Sequence, residues 1–127
     1  MPFDGHGGEH LCRFLTSKDH FSVVNRIVKA AAYYPPRNNR LSVYVVTDCP
    51  EQEVWAIGDA HVAPWRGPIL GQALCSSAAA HAECQLRLEI TGEPHPRHAD
   101  LLGWSVDRKQ ARLQALRLAE KSSLKLR

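Results

Sequence analysis

Apolar positions along the chain alternate between short runs of strand character and longer stretches of helical period. Leu11-Cys12-Arg13-Phe14-Leu15 reads as a short first strand. Thr16 and Asp19 then have capping-box spacing, which predicts a helix start. Phe21, Val24, Val28 and Ala31 repeat at helical spacing, with Val23, Ile27, Ala30 and Tyr34 as the neighbouring row. The pattern predicts one broad apolar helix face laid on a sheet, with Ser22, Asn25, Arg26 and Lys29 in solvent. Tyr33-Tyr34-Pro35-Pro36 stops it, because a residue before proline is pushed out of the helical region, and Arg37–Arg40 is a turn.

Leu41 to Thr47 is the clearest strand, apolar on both faces and therefore central. Asp48 and Glu51 again have capping-box spacing, and Pro50 suits a first turn. A helix from about Cys49 to Ile57 is expected, with Gly58 as its stop and Val54, Trp55 and Ile57 inward. Residues 59–68, with two prolines and a glycine, read as a long loop. Ile69–Cys75 reads as a strand, and Ser76 or Ser77 as the cap of a short helical turn. Gln85–Thr91 alternates strictly, with Leu86, Leu88 and Ile90 inward. Gly92–Ser105 is expected to be a connection, plugged into the core by Trp104. Ser105 is then the expected cap of a terminal helix reaching about Lys121.

These elements predict one α+β (or α/β) domain over 1–127: a mixed sheet of three to five strands packed by about three helices, the last C-terminal. Residues 1–10, glycine-rich and polar, are expected to form a loosely held arm. Its Asp4, His6, Glu9 and His10 sit on too flexible a stretch to make a metal site with Cys12.

Composition narrows the class. At 127 residues and 44% apolar, the chain is large enough for a core without staples. No apolar run approaches the ~18–20 residues that span a bilayer, so no membrane partner is expected. The N-terminus has neither the basic start nor the apolar stretch of a signal peptide, and a cytoplasmic location is expected. Cys12, Cys49, Cys75 and Cys84 lie in or beside apolar segments, as free thiols do in a reducing compartment. Cys75, His81 and Cys84 match no closed zinc spacing, and no metal or cofactor is expected. Cys49 stands near a helix start, but Asp48, Glu51 and Glu53 oppose a thiolate there. The net charge of +3 comes from residues 113–127, where Arg117, Lys121, Lys125 and Arg127 face Glu120 alone. Nucleic-acid binding through that basic end is the weakest alternative, because cations also suit a helix C-terminus.

No H-E-x-x-H, G-x-S-x-G, P-loop or G-x-G-x-x-G occurs. What remains is an awkward cluster. Arg108 and Lys109 stand in the first turn of the last helix, where its dipole disfavours cations, and Arg112 lies one turn on. With Arg97, His95 and His98 from the preceding loop they form a candidate anion site at a helix start. Pairing with Glu93, Asp100 and Asp107 is the structural alternative. The leading expectation is a small binding or accessory protein for an anionic ligand, acting with a protein partner or as a homo-oligomer. The alternative is an enzyme with His98 or His95 as acid/base and Arg108 or Arg112 holding an anionic substrate.

Overall fold

The computed structural model describes residues 8–127. Its centre is a six-stranded sheet of β1 (His10–Leu15), β4 (Leu41–Val45), β5 (Gly71–Ser76), β6 (Arg87–Ile90), β7 (His98–Leu102) and β8 (Ser123–Leu126), in the order β6-β7-β4-β1-β5-β8. Every neighbouring pair is antiparallel. A two-stranded ribbon of β2 (Phe21–Ser22) and β3 (Ile27–Val28) stands apart from it. The helices are α1 (Glu51–His61), α2 (Ala63–Arg66), α3 (Ser77–Cys84) and α4 (Arg108–Glu120). The class is α+β, as expected, with one strand more than the upper count.

Alternation along the central strands divides the core in two. Leu11, Leu15, Leu41, Val43, Ala99 and Leu101 turn to one face, where Ala80 and Cys84 of α3 and Ala115, Leu118 and Ala119 of α4 cover them. Cys12, Phe14, Tyr44 and Val46 turn to the other, against Val54 and Ile57 of α1. Ala111, Ala115, Leu118 and Ala119 of α4 are buried on this side of the core.

Three stretches differ from expectation. The first is the helix expected after Thr16. Ser17, not Thr16, caps a single 3-10 turn at Lys18–His20; the chain then forms the β2–β3 ribbon and a second 3-10 turn at Ala30–Tyr33. Val23 and Val24, at 60% and 92% exposure, occupy the ribbon's tip rather than a packed face. The β-branched valines and isoleucine have low helix propensity, and the Ser22 hydroxyl takes the Asn25 N–H at 3.1 Å to close the turn. Only Phe21, Val28, Ala32 and Tyr33 of this stretch enter the core.

The second is Gly92–Ser105, which contains β7 as the return strand of a hairpin with β6. It includes a buried carboxylate, Asp100, whose Oδ2 accepts from Arg40 Nε at 3.0 Å. The third is the chain's end, where β8 adds to β5 instead of fraying from a helix. The basic excess is spent there: Lys125 pairs with Glu51 at 3.1 Å, and Arg127 makes a two-pronged pair with Asp59 at 2.5 and 2.7 Å. Lys121 lies 3.9 Å from Glu83.

The remaining differences are smaller. Residues 59–66, expected as loop, are helical, and α1 runs through Gly58 to His61. Gly58 serves contact with Phe14: a Cβ there would sit 2.8 Å from the ring. Pro50, without a side-chain bond, precedes α1 in place of an Asp48 cap. Of the expected arm, residues 1–7 lie outside the described residues, while Glu9 is held by the Thr47 hydroxyl at 2.6 Å and His10 begins β1.

Candidate functional site

β1 and β4 are paired only at Leu11–Val45 and Cys12–Tyr44. Beyond that point the Arg13 side chain spans the gap, donating from Nε to the Ala32 carbonyl at 3.0 Å and from Nη1 to the Ser42 carbonyl at 2.9 Å. A guanidinium thus takes a carbonyl that a strand N–H would ordinarily occupy. Beside it opens a cleft of about 250 Å³. Its walls come from β1 and the turn after it (Arg13, Phe14, Thr16, His20), from β4 and β7 (Ser42, Tyr44, His98), and from the α1–α2 corner with Trp65 and Arg66.

The lining sets arginines, histidines and hydroxyls among Phe14, Val62, Trp65 and Pro94, with no carboxylate among the described residues. Among the described residues, Arg13 and Arg66 form no ion pair, nor do Arg37, Arg108, Lys109 and Arg112, whereas Arg40, Arg97, Lys121, Lys125 and Arg127 do. What sets the Arg13 cleft apart is the burial of its guanidinium. Burial, and then the neighbouring Arg66, pull the Arg13 guanidinium down to about 10. It stays charged at neutral pH, and its charge is unanswered. Burial and Arg13 also hold the His20 imidazole below its ordinary value, and its buried Nδ1 has no hydrogen-bond partner. A buried polar atom without a partner costs about 1–3 kcal/mol, so this corner is electrostatically unsatisfied.

The histidines of the β6–β7 hairpin meet this cleft differently. His98 faces it from β7, with Nε2 3.1 Å from Ser42 Oγ and Nδ1 2.6 Å from Thr91 Oγ1. Burial lowers its pKa, against the opposing pull of Asp100, whose Oδ1 is 4.0 Å away. His95 stands edge-on to His61 with ring centroids 5.0 Å apart, and its Nδ1 accepts the Arg97 N–H at 3.0 Å. Burial, then His61, lower its pKa. Tyr44 lies between them, 5.3 Å from His98 and 6.2 Å from His95.

The remaining expected site residues lie elsewhere. Arg97 is structural: Nη1 donates to the carbonyls of Val45 and Thr47 at 3.1 and 3.2 Å, tying the hairpin loop to the end of β4. Arg108 and Arg112 line a different, slightly smaller cleft of about 220 Å³ with Tyr34, Pro35 and Arg37. Arg108 reaches Asn39 Oδ1 at 3.4 Å, and the Arg112 guanidinium lies 5.1 Å above the Tyr34 ring. Lys109 is exposed and borders neither cleft. The α4 start itself is closed: Asp107, not Ser105, is the cap, and its Oδ1 takes the N–H groups of Lys109 and Gln110 at 2.9 and 3.2 Å. The Asp107 carboxylate binds backbone N–H groups there and forms no ion pair with the Arg108 or Lys109 side chains. Loop and helix start therefore do not form one pocket. His98 joins instead Arg13, His20, His61 and Arg66, none of which lies in a sequence motif.

A larger groove of about 610 Å³ lies between α1 and the β5–β8 edge. Its Lys121 and Lys125 are paired with acids, and its Cys49 donates to Glu53 at 3.1 Å, with burial first and this bond second pushing the thiol to about 11. It offers no unanswered charge. Cys12, Cys75 and Cys84 are free and buried, and the described residues hold no cluster of three or more His, Cys, Asp or Glu suited to a metal ion. No described helix is long and apolar enough to cross a membrane. No protein-family model matches the chain, and no curated protein or solved structure is similar to it.

Proposed function

We propose that the chain is a small cytoplasmic protein that binds an anionic small molecule, of the phosphate, sulfate or carboxylate class, in the Arg13–Arg66 cleft. One observation carries this reading: two arginines and a histidine with a buried, unpartnered nitrogen line one cleft that holds no carboxylate among the described residues. Like charges left together without a counter-ion destabilise a fold, and a bound anion removes that cost. Three donors of Arg13 remain after its two carbonyl bonds, and the guanidinium fork suits a planar or tetrahedral oxyanion. The free thiols fit a reducing compartment.

Sulfate tests the site, because its charge is constant across the neutral range. At ten times its dissociation constant it stabilises the fold by about 1.4 kcal/mol, equivalent to a rise of about 5 °C in melting temperature. That rise is expected for the native chain at constant ionic strength with chloride as control. Arg66→Ala, at an exposed position, should weaken binding about tenfold, and Arg13→Lys should do the same if it folds. Arg108→Ala and Arg112→Ala should leave the rise unchanged. A rise lost in Arg108→Ala but kept in Arg66→Ala would return the site to the α4 start, and no sulfate-specific rise at all would refute the reading.

A further inference from the structure

The β4–β7 register sets Tyr44 opposite His98 and Ser42 opposite Asp100. Ser42 and His98 are thus diagonal neighbours on one face, a distance that a ring can bridge. Ser42 Oγ reaches His98 Nε2 at 3.1 Å, and His98 Nδ1 reaches Thr91 Oγ1 at 2.6 Å. The Thr91 hydroxyl has two carbonyls in range for its own proton, Glu93 at 3.2 Å and His98 at 3.1 Å. Its lone pair is left for the Nδ1–H, which fixes the tautomer with a bare Nε2 facing the Ser42 hydroxyl. Hydroxyl, imidazole and an orienting third group in sequence are the parts of an activated nucleophile. Both reacting residues line the Arg13–Arg66 cleft, and Arg13 is hydrogen-bonded to the carbonyl of Ser42 itself.

We infer that Ser42 is a nucleophile and His98 its general base, in an acyl-transfer site that hydrolyses small esters carrying a carboxylate or phosphate group. The inference rests on the cleft being an anion site, since that is what holds the charged end of such an ester. As the Ser42 Oγ–carbon bond forms on the ester carbonyl, His98 Nε2 takes the hydroxyl proton. The bond to the alcohol oxygen breaks, and the imidazolium protonates the departing alkoxide. Water then attacks the acyl-serine, giving its proton to Nε2; Ser42 regains a proton as the free acid leaves. Arg13 and Arg66 supply positive potential to the carbonyl oxygen and the anionic group. Thr91 is a positioning residue.

Around His98 stand the Asp100 carboxylate, itself paired with Arg40, the Tyr44 ring, Arg13 and Arg66 across the cleft, and His20 and His61 along its walls. With burial as the dominant influence, the imidazole is neutral at pH 7 and able to accept a proton.

The test treats the full chain with a fluorophosphonate and follows intact mass, with melting curves confirming that each variant folds. One adduct is expected, mapping to Ser42, absent in Ser42→Ala and slowed about 100-fold in His98→Gln. Thr91→Val should slow labelling and Thr91→Ser restore it. The labelling rate should climb with pH to a midpoint below the ordinary imidazole value of 6.5. The mono-p-nitrophenyl ester of succinic acid should be hydrolysed faster than p-nitrophenyl acetate, a preference lost in Arg66→Ala. Labelling no faster than in urea-unfolded chain, or unchanged by His98→Gln, overturns the nucleophile. Sulfate binding separates the two readings: a chain that binds sulfate but does not label refutes Ser42 alone, and one that labels without binding sulfate refutes the anion site.

Discussion

Gly58→Ala sets two ordinary rules against each other. In a helix interior alanine is better than glycine by about 0.8–1.0 kcal/mol, so propensity alone predicts a stabler protein. A Cβ at Gly58 meets Phe14 Cδ1 and Cε1 at 2.8 Å and Cζ at 3.2 Å. Carbon atoms rest at about 3.5–4.0 Å, so the ring or the helix must move by a substantial fraction of an ångström. The ring has little room, being 5% exposed and tilted against Tyr44 with centroids 5.5 Å apart. Overpacking of this kind costs about 1–3 kcal/mol. Subtracting the propensity gain leaves a net loss of about 1 kcal/mol, with a lower urea midpoint and an unchanged slope. Phe14→Leu trims the ring and should let the alanine recover its helical advantage, so a double-mutant cycle should show favourable coupling of about 1–2 kcal/mol. Because Phe14 lines the cleft and α1 carries His61 to it, Gly58→Ala should also weaken sulfate binding. Equal stabilisation by Gly58→Ala in both backgrounds would refute the contact, and with it the placement of α1 on β1.

Two further outcomes are expected. Asp107→Ala removes the cap of α4 from the Lys109 and Gln110 N–H groups, for a loss of about 1 kcal/mol by urea unfolding; an unchanged midpoint would contradict the cap. His20, His95 and His98 all have depressed pKa values in the folded chain, chiefly through burial. On acidification the unfolded chain takes up protons first, near 6.5, so stability should be full above that pH and fall as it drops through 6.5 toward the folded values. Urea midpoints at pH 7.5, 6.5 and 5.5 measure this, and a midpoint that rises below 6.5 would contradict the burial of these rings. Sulfate should oppose the loss, because protonated His20 adds a cation to its site.

Where each element was legible followed from how local its cause was. β1 and β4 show their alternation within five or six residues, and α3 carries its cap, Ser76, whose hydroxyl takes the Ala79 N–H at 3.0 Å. The valines after Phe21 have a helical spacing, but nothing local says that Val23 and Val24 face water. β7 was hidden because Asp100 is a poor strand residue until Arg40, sixty positions earlier, neutralises it. β8 was hidden because its basic residues have acids on α1 as partners. Among the site residues, His98 was visible as part of a histidine-bearing loop. Arg13, His20, His61 and Arg66 were not: Arg13 sits in a strand explained without it, and the 3-10 turn, the last turn of α1 and helix α2, which bring the others to the cleft, are not legible in the local pattern.

The sequence by itself determined the class of fold and the two-faced central strands, because hydrophobic burial depends on a periodicity that the chain carries locally. It also displayed the oddity of cations at the α4 start. Only the tertiary structure decided which cations are answered. The acids of α1 pair with the cations of β8, Asp107 caps the α4 N–H groups without pairing with its cations, and Arg13 and Arg66 are brought together where β1 and β4 part. Coulomb energy depends on distance in space, and no spacing along the chain expresses it.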